Sequence, residues 1–279
     1  MLLVDWKAKE RIEKGYIKAL KAVSKQMNIA IGNSDNPDVI LRRLKQLTTQ
    51  KTYQEFCEKL ALTMTTQINN GLNSTWRQAA AKSSKGQDIY KSLKDLIKAG
   101  DIGWQFALKV YQNAEDIRTV PLKIAQDMTE LVQQRTMEGV RASDIAKELK
   151  AKIPENSKAR AETIARTEVS RTQSALVRAR AESLGIKCYI WRTSKDSRVR
   201  HAHDVMDGVV VFWNDPPSPE ALVGEKHTYG RYHAGEIFNC RCYAEPVVDV
   251  RFIKFPCKVY SQGSITRISS LKEFQKIAA

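Results

Sequence analysis

Apolar residues recur at helical spacing through roughly the first 155 residues, and this periodicity restricts that half of the chain to helices. Gly32 ends the first predicted helix, and the polar residues before Pro37 are typical of a helix start. A long helix is predicted from about Thr52 to Ala81. Shorter helices are expected between Gly86 and Ile153. The N-terminal half is therefore expected to be α-helical throughout.

The pattern changes in the second half. The residues from Pro154 to Ser157 suggest a hinge, and Gly185 ends the long arginine-rich helix that is expected to follow it. Apolar, β-branched and aromatic runs then predict strands, and proline inside the last run would confine it to a sheet edge. The predicted strands are Lys187–Thr193, Val209–Trp213, Cys242–Val248 and, with Pro256 inside it, Val250–Tyr260.

These elements predict an α+β fold that is predominantly α-helical. Three segments are expected: a helical region at residues 1–155, a small α+β domain with few strands at residues 156–250, and a tail at residues 251–279. The tail is expected to hold an edge strand and a short final helix, which would begin after residue 264.

Charge and composition exclude several classes of protein. The formal net charge is +15, and residues 158–200 alone hold 11 basic against 4 acidic side chains, as expected of a protein that works near nucleic acid. No apolar run approaches the roughly 20 residues of a membrane helix, and the N-terminus does not resemble a secretory signal, so folding in a cytoplasm is expected. The five cysteines are odd in number and irregularly spaced, which argues against a disulfide framework.

The arginine-rich helix carries two features of interest. Arg160, Arg171 and Arg178 align on one side of it, and this basic stripe could contact phosphates or acidic partner side chains. A solvated surface is the alternative interpretation of the stripe. Glu168 falls within a face of small apolar residues, where we expect it to bind a basic residue of the α+β domain.

Four short motifs follow one another in the second half. Ala-Arg-Thr-Glu ends at Glu168, Asp-x-Arg-x-Arg-x-x-His ends at His203, Asp-Gly begins at Asp207, and Asn-Cys-Arg-Cys ends at Cys242. In this order, with a Pro- and Gly-rich loop before the last, they resemble the C-terminal domain of phage Mu F-like minor head proteins. The matching positions are Arg166, Thr167, Glu168, Trp191, Asp196, Arg198, Arg200, His203, Asp207, Gly208, Asn239, Cys240, Arg241 and Cys242.

The resemblance, which covers about a third of the chain, implies a low-copy structural protein of a tailed-phage or prophage head. It implies assembly in the host cytoplasm, residence in the virion, and association with the portal and with the major capsid or scaffold protein. Non-specific contact with packaged double-stranded DNA is implied as well, with no role at a membrane. The helical N-terminal region would be extended in shape and would associate with the portal or the capsid.

Two interpretations of the polar residues remain open. His203, Cys240 and Cys242, with His201 or His233 as a fourth ligand, supply the donors that zinc prefers. Alternatively the residues form a metal-free structural cluster of ion pairs and small buried thiols, in which His203 bonds to backbone. The metal-free cluster is favoured and no cofactor is expected, with zinc kept as the alternative. The cluster comprises Glu168, Asp196, Arg198, Arg200, His203, Asp207, Asn239 and Arg241.

The chain is not expected to be an enzyme, because it lacks the common hydrolase, metalloprotease and nucleotide-binding motifs. A basic, non-sequence-specific DNA-binding protein is the first alternative. A metal-dependent nuclease, in which Asp196, Asp204 and Asp207 complete a site begun by His201 and His203, is a weaker one. A Cys240–histidine pair acting as nucleophile and base is also conceivable on residue type.

Overall fold

The computed structural model describes residues 4–8, 10–94 and 100–278 of the 279-residue chain. Helices predominate, and one small mixed sheet lies in the second half, so the predicted α+β, mostly α-helical class is confirmed. The helices are α1 (Glu10–Ile31), α2 (Pro37–Leu47), α3 (Lys51–Ala80), α4 (Gly86–Lys94), α5 (Asp101–Arg118), α6 (Val120–Met137), α7 (Ala142–Ser183), α8 (His201–Val205), α9 (Pro219–Leu222) and α10 (Leu271–Ala278). The strands are β1 (Cys188–Arg192), β2 (Val209–Phe212), β3 (Tyr243–Pro246), β4 (Cys257–Ser261) and β5 (Ser264–Ile268).

Backbone contacts group the chain into two compact units, neither of which is a continuous segment. One consists of residues 10–65 and 108–165, and the other of residues 1–9, 66–107 and 166–279, as far as these are described. Whether the predicted segments 1–155, 156–250 and 251–279 fold by themselves stays a prediction. Within the described part of the chain, no helix is both long enough and apolar enough to cross a bilayer.

The first unit is built from amphipathic helices. α1 buries one face, which includes Tyr16 and Leu20, and the Asn36 side chain caps α2 by accepting from the amides of Asp38 and Val39. Tyr16 also donates to Asn113 Oδ1 at 2.8 Å, so the buried hydroxyl keeps a partner.

The sheet of the second unit has the strand order β3-β1-β2-β4-β5, antiparallel except for the β2–β4 pair. Successive strand residues point to opposite faces, so β1 serves two cores. Cys188 packs with Val210 and with Phe274 of α10 on one face. Tyr189 and Trp191 point to the other face, where their rings contact two buried histidines.

Two predicted features are wrong, and one strand was not predicted. α7 runs through Pro154 without the predicted break, because proline inside a helix removes one hydrogen bond and need not end the helix. The strand that follows Pro256 lies inside the sheet rather than at its edge, since β5 covers it and the proline precedes the paired residues. β5 was not predicted, whereas the expected final helix is present as α10, which begins at Leu271. The sequence also predicts that the helix that begins near Gly86 ends at about Lys98, a position outside the described residues.

Candidate functional site

Buried donors from two distant segments meet on the Trp191 face of β1. His203 lies on α8, where its ring makes an edge contact with Trp191 at a centroid distance of 5.7 Å. Cys240 and Cys242 lie at the end of the loop before β3 (residues 223–242). All three side chains are at most 4% exposed. The sheet and α8 therefore enclose one histidine and two thiols away from solvent.

The three side chains present their donor atoms to one another. His203 Nδ1 lies 3.5 Å from Cys240 Sγ and 3.4 Å from Cys242 Sγ. The ligand atoms of the three residues all lie within 4.8 Å of one another. The amide of Cys242 also donates to Cys240 Sγ at 3.3 Å. Among the described residues, this is the one group of at least three His, Cys, Asp or Glu side chains arranged so that they could hold a metal ion.

The other ring nitrogen of His203 contacts a buried hydroxyl and, beyond it, a carboxylate. His203 Nε2 lies 2.9 Å from the Tyr232 hydroxyl, which donates to Glu220 Oε1 at 2.5 Å. Glu220 belongs to α9 and is 1% exposed. A Tyr232 hydroxyl that donates to a carboxylate is left to accept from His203, so the proton of a neutral His203 ring is on Nε2 and the Nδ1 lone pair points at the thiols.

Burial and neighbouring groups shift the ionisation of this site. A hydrogen bond from Cys242, with His203 nearby, holds the pKa of Cys240 well below its ordinary value despite burial. The same Cys240–Cys242 interaction, followed by burial, raises the pKa of Cys242. Burial and the hydrogen bond to Glu220 raise the pKa of Tyr232. These shifts favour a thiolate at Cys240 over one at Cys242, and they favour the protonated form of Tyr232.

Helix α7 holds the loop before β3 in place. Thr167 Oγ1 accepts from the amide of Asn239 at 3.1 Å, and Arg166 donates to the Asn239 side chain at 2.9 Å. Asn239 adopts a φ of +60°, a conformation that asparagine tolerates better than most residues. Farther along α7, Ser174 donates to the carbonyl of Ala234 at 2.7 Å. The Ala-Arg-Thr-Glu motif thus positions the segment that carries the two cysteines.

The comparisons with known proteins agree with this arrangement. Residues 126–245 match the family model described as Phage Mu protein F like protein. This segment is therefore similar to the Mu F-like family, and we call it the Mu F-like segment. The match contains α7, the loop before β3 and all three converging side chains, and it confirms the resemblance of the motifs.

A curated relative extends the comparison without adding a function. The chain is 32% identical over 137 residues to a Haemophilus influenzae protein whose name is "Uncharacterized protein". The aligned region is 49% of this chain and spans only 28% of that relative. No solved structure matches the chain.

The residues of the predicted polar cluster form several separate small contacts within the Mu F-like segment. Asp196 is within 3.2 Å of Arg241 and 3.4 Å of Arg198. Asp207 accepts from the Thr193 amide at 2.8 Å, which fixes the turn before β2. None of these side chains bonds to His203, which contacts thiols and a tyrosine rather than the backbone partner expected for it.

Two further acceptors organise the basic residues. Arg200 donates to the Phe238 carbonyl at 2.9 Å. Glu168 is buried and pairs at 3.1 Å with Arg171, three residues along the same helix. Arg171 in turn donates to the Glu236 carbonyl at 2.8 Å, so the pair still braces the loop before β3.

The structure does not bring either predicted fourth ligand to the thiols. His201 is exposed at the start of α8. His233 is buried, but its Nδ1 lies 3.2 Å from the Tyr189 hydroxyl and its ring packs against Trp213. The group of converging donors among the described residues therefore contains three ligands.

The three arginines of the predicted basic stripe each contact a carboxylate of this chain. Arg160 pairs with Asp127 at 2.5 Å and Arg178 with Glu182 at 2.9 Å, while Arg171 pairs with the buried Glu168. Each arginine side chain remains about a third exposed.

Sequence reasoning missed Tyr232 and Glu220. Neither stands at a spacing that predicts contact with His203, because 12 and 29 residues separate the contacting pairs Glu220–Tyr232 and His203–Tyr232. The one available signal was that Tyr232 directly precedes His233, which the sequence offered as a possible fourth zinc ligand.

Proposed function

We propose that this protein is a structural minor head protein of a tailed bacteriophage or prophage, resident in the virion and without enzymatic activity. The observation that carries the proposal is the family match over residues 126–245, which contains the whole arrangement around His203. Its partners would be the portal and the major capsid or scaffold protein during assembly in the host.

Burial supports a structural role for the residues that resemble an active site. His203, Cys240 and Cys242 are 2%, 2% and 4% exposed, so a polymeric substrate cannot approach them without local opening. The surrounding contacts, such as Thr167 to Asn239, fix a loop and leave no hydroxyl or thiol of this group at the surface. Groups of this kind hold a small domain together.

Co-expression with the portal, capsid and scaffold proteins of the same phage genome tests the assembly role. We expect sedimented heads to contain the chain at low copy number and omission of the portal to reduce that incorporation. A cytosolic protein of similar size and net charge, expressed alongside, controls for trapping of basic protein. Heads that never incorporate the chain, or incorporate both proteins equally, would contradict the proposal.

Contact with packaged DNA is supported by an exposed basic face of α1. Lys18, Lys21 and Lys25 follow helical spacing on the side opposite the buried Tyr16 and Leu20. No carboxylate among the described residues is within ion-pair distance of these three lysines. Such a face would contact phosphates without reading base sequence, so affinity should fall steeply with salt.

The nuclease alternative has its own test. Asp204 is exposed on α8 and Asp207 bonds to Thr193, so neither joins the buried thiol group. We expect plasmid DNA incubated with the protein and Mg²⁺ or Mn²⁺ to stay intact. Cleavage that disappears in His203→Ala would establish an enzyme instead.

A further inference from the structure

We propose that His203, Cys240 and Cys242 bind a zinc ion that fastens α8 to the loop before β3. Two thiols and an imidazole form a donor set that selects zinc over magnesium or calcium, which prefer oxygen ligands. The site goes beyond a role in head assembly, since it concerns how the Mu F-like segment folds.

The hydrogen bonds of the His203 ring leave its Nδ1 lone pair available to a metal ion. Tyr232 donates to Glu220 and therefore accepts from His203 Nε2, so Nδ1 of the neutral ring has one lone pair and no proton. That lone pair faces two sulfur atoms at 3.5 and 3.4 Å. One lone pair can accept only one thiol proton, whereas a cation between the atoms satisfies the nitrogen and both sulfurs.

The nitrogen–sulfur distances between the three side chains suit a zinc ion. Zinc binds thiolate at about 2.3 Å and imidazole at about 2.0–2.1 Å, which places nitrogen and sulfur about 3.6 Å apart in a tetrahedron. The observed nitrogen–sulfur separations of 3.5 and 3.4 Å are close to this value. Both nitrogen–sulfur distances therefore already suit a shared zinc ion, and the two sulfur atoms lie within 4.8 Å of each other.

The hydrogen-bond partners of His203 and Cys240 are also those expected around metal ligands. Histidine ligands of metals commonly donate their second N–H to an oxygen partner, which orients the ring. Tyr232 and the buried Glu220 provide such a partner on the side of the ring away from the sulfurs. The Cys242 amide donates to Cys240 Sγ at 3.3 Å, a hydrogen bond that stabilises a thiolate.

Three protein ligands leave one tetrahedral position for water or another small ligand. The three ligands are too deeply buried for a macromolecular substrate, so the ion acts structurally. It connects residues 37 and 39 positions apart, and closing long loops of this kind is where a metal stabilises a small domain.

The test uses the full chain, expressed without a histidine tag and purified without chelators. Elemental analysis should find about one zinc per chain, and cobalt substitution should give a thiolate-to-cobalt charge-transfer band. The double variant Cys240→Ser/Cys242→Ser should bind at least about tenfold less zinc per chain than the wild type. Cys257→Ser, the same chemical change outside the group, should keep it.

Two outcomes overturn the proposal. Wild-type protein with sub-stoichiometric zinc and no cobalt band would do so, even if the double variant fails to fold. Thiols that iodoacetamide modifies at the same rate with and without a chelator would do so as well, because no bound ion would then shield them. Bound zinc should instead protect Cys240 and Cys242 until the chelator is added.

Tyr232→Phe tests the positioning of His203 separately. Removal of the hydroxyl leaves His203 Nε2 without its partner, so zinc affinity should fall about 10- to 100-fold while the fold is kept. Tyr229→Phe makes the same change at an exposed tyrosine and should leave affinity unchanged. Equal affinities in both variants would show that Tyr232 does not orient a metal ligand.

Discussion

At the scale of single residues, Gly235 is where the loop before β3 approaches its surroundings most closely. Its φ is +86°, and a Cβ there would lie 2.8 Å from the Cys242 carbonyl oxygen and 3.0 Å from Ser170 Oγ. Gly235→Ala should therefore lower the free energy of unfolding twice over. The left-handed backbone costs about 1–2 kcal/mol and the overpacking about 1–3 kcal/mol more.

Gly224 provides the matched control for urea unfolding of both variants. Its φ is +73°, but a Cβ there meets nothing within 4 Å. Gly224→Ala should lose only the conformational part, about 1–2 kcal/mol. Equal losses in the two variants would mean that the close approach to Cys242 does not constrain the loop.

His233 should make stability depend on pH. Burial, with Arg178 nearby, lowers its pKa to about 3, whereas the unfolded chain has a value near 6.5. Above about pH 6.5 the ring is neutral in both states and its full contribution to stability is present. Between about pH 6.5 and 3 only the unfolded state takes up the proton, so stability falls by up to about 1.4 kcal/mol per pH unit.

Urea unfolding of His233→Asn across this pH range measures the effect. The variant should lose that part of the pH dependence, even if it is less stable at pH 7. His227→Asn, at an exposed histidine, should keep the wild-type dependence. Parallel pH profiles for wild type and His233→Asn would contradict the expectation.

The sequence identified the donors of the site better than their surroundings. Residue type alone predicted that His203, Cys240 and Cys242 could act together, because thiols and imidazole suit one ion. Tyr232 and Glu220 depend on how α9 and the loop before β3 pack, and no spacing encodes that. His201 failed as a fourth ligand for a related reason: two residues along a helix point about 200° apart.

At the scale of elements, α7 shows how packing overrides a local signal. Pro154 lies inside the helix, where it removes one backbone hydrogen bond at a cost of about 3 kcal/mol. Burial of Ile153 and Ser157 on either side keeps the segment helical. The sequence predicted a hinge because proline disfavours a helix, whereas the packing that offsets this cost is not visible in the local sequence.

Pro154→Ala should therefore stabilise the protein. Restoring a helix-favouring residue gains about 3 kcal/mol, from which the greater freedom of the unfolded chain subtracts about 1 kcal/mol. We expect the free energy of unfolding in urea to rise by about 2 kcal/mol. Glu155→Ala, at the next exposed position, should change it by less than about 0.5 kcal/mol. A loss of stability in Pro154→Ala would mean that α7 requires the irregularity.

The strands divide in the same way. β1 and β2 were predicted because their apolar runs are buried on both faces. β5 was missed because Ser264–Ile268 is mostly exposed and has no apolar run. The turn at Gln262 and Gly263, both with positive φ, was the available signal for a hairpin.

At the scale of the whole molecule, the net charge of +15 has to be assigned to surfaces. The basic stretch at residues 158–200 drew attention to Arg160, Arg171 and Arg178, yet each is paired with a carboxylate of its own chain. Lys18, Lys21 and Lys25 of α1 are exposed without such partners in the described part of the chain. Local charge density in a sequence does not show which charges neutralise one another after folding.

Salt-dependent binding of double-stranded DNA distinguishes the two surfaces. Lys18→Gln/Lys21→Gln/Lys25→Gln should reduce the slope of log affinity against log salt by about 2.7, or about 0.9 for each phosphate that is no longer neutralised. Replacing Arg160, Arg171 and Arg178 by Gln removes the same net charge and serves as the matched control. Its slope should change less, because DNA would have to displace carboxylates that already neutralise these side chains. A larger change of slope in the arginine variant would assign DNA binding to α7. Because both variants remove three positive charges, a difference between their slopes depends on where the charges lie and not on the total charge.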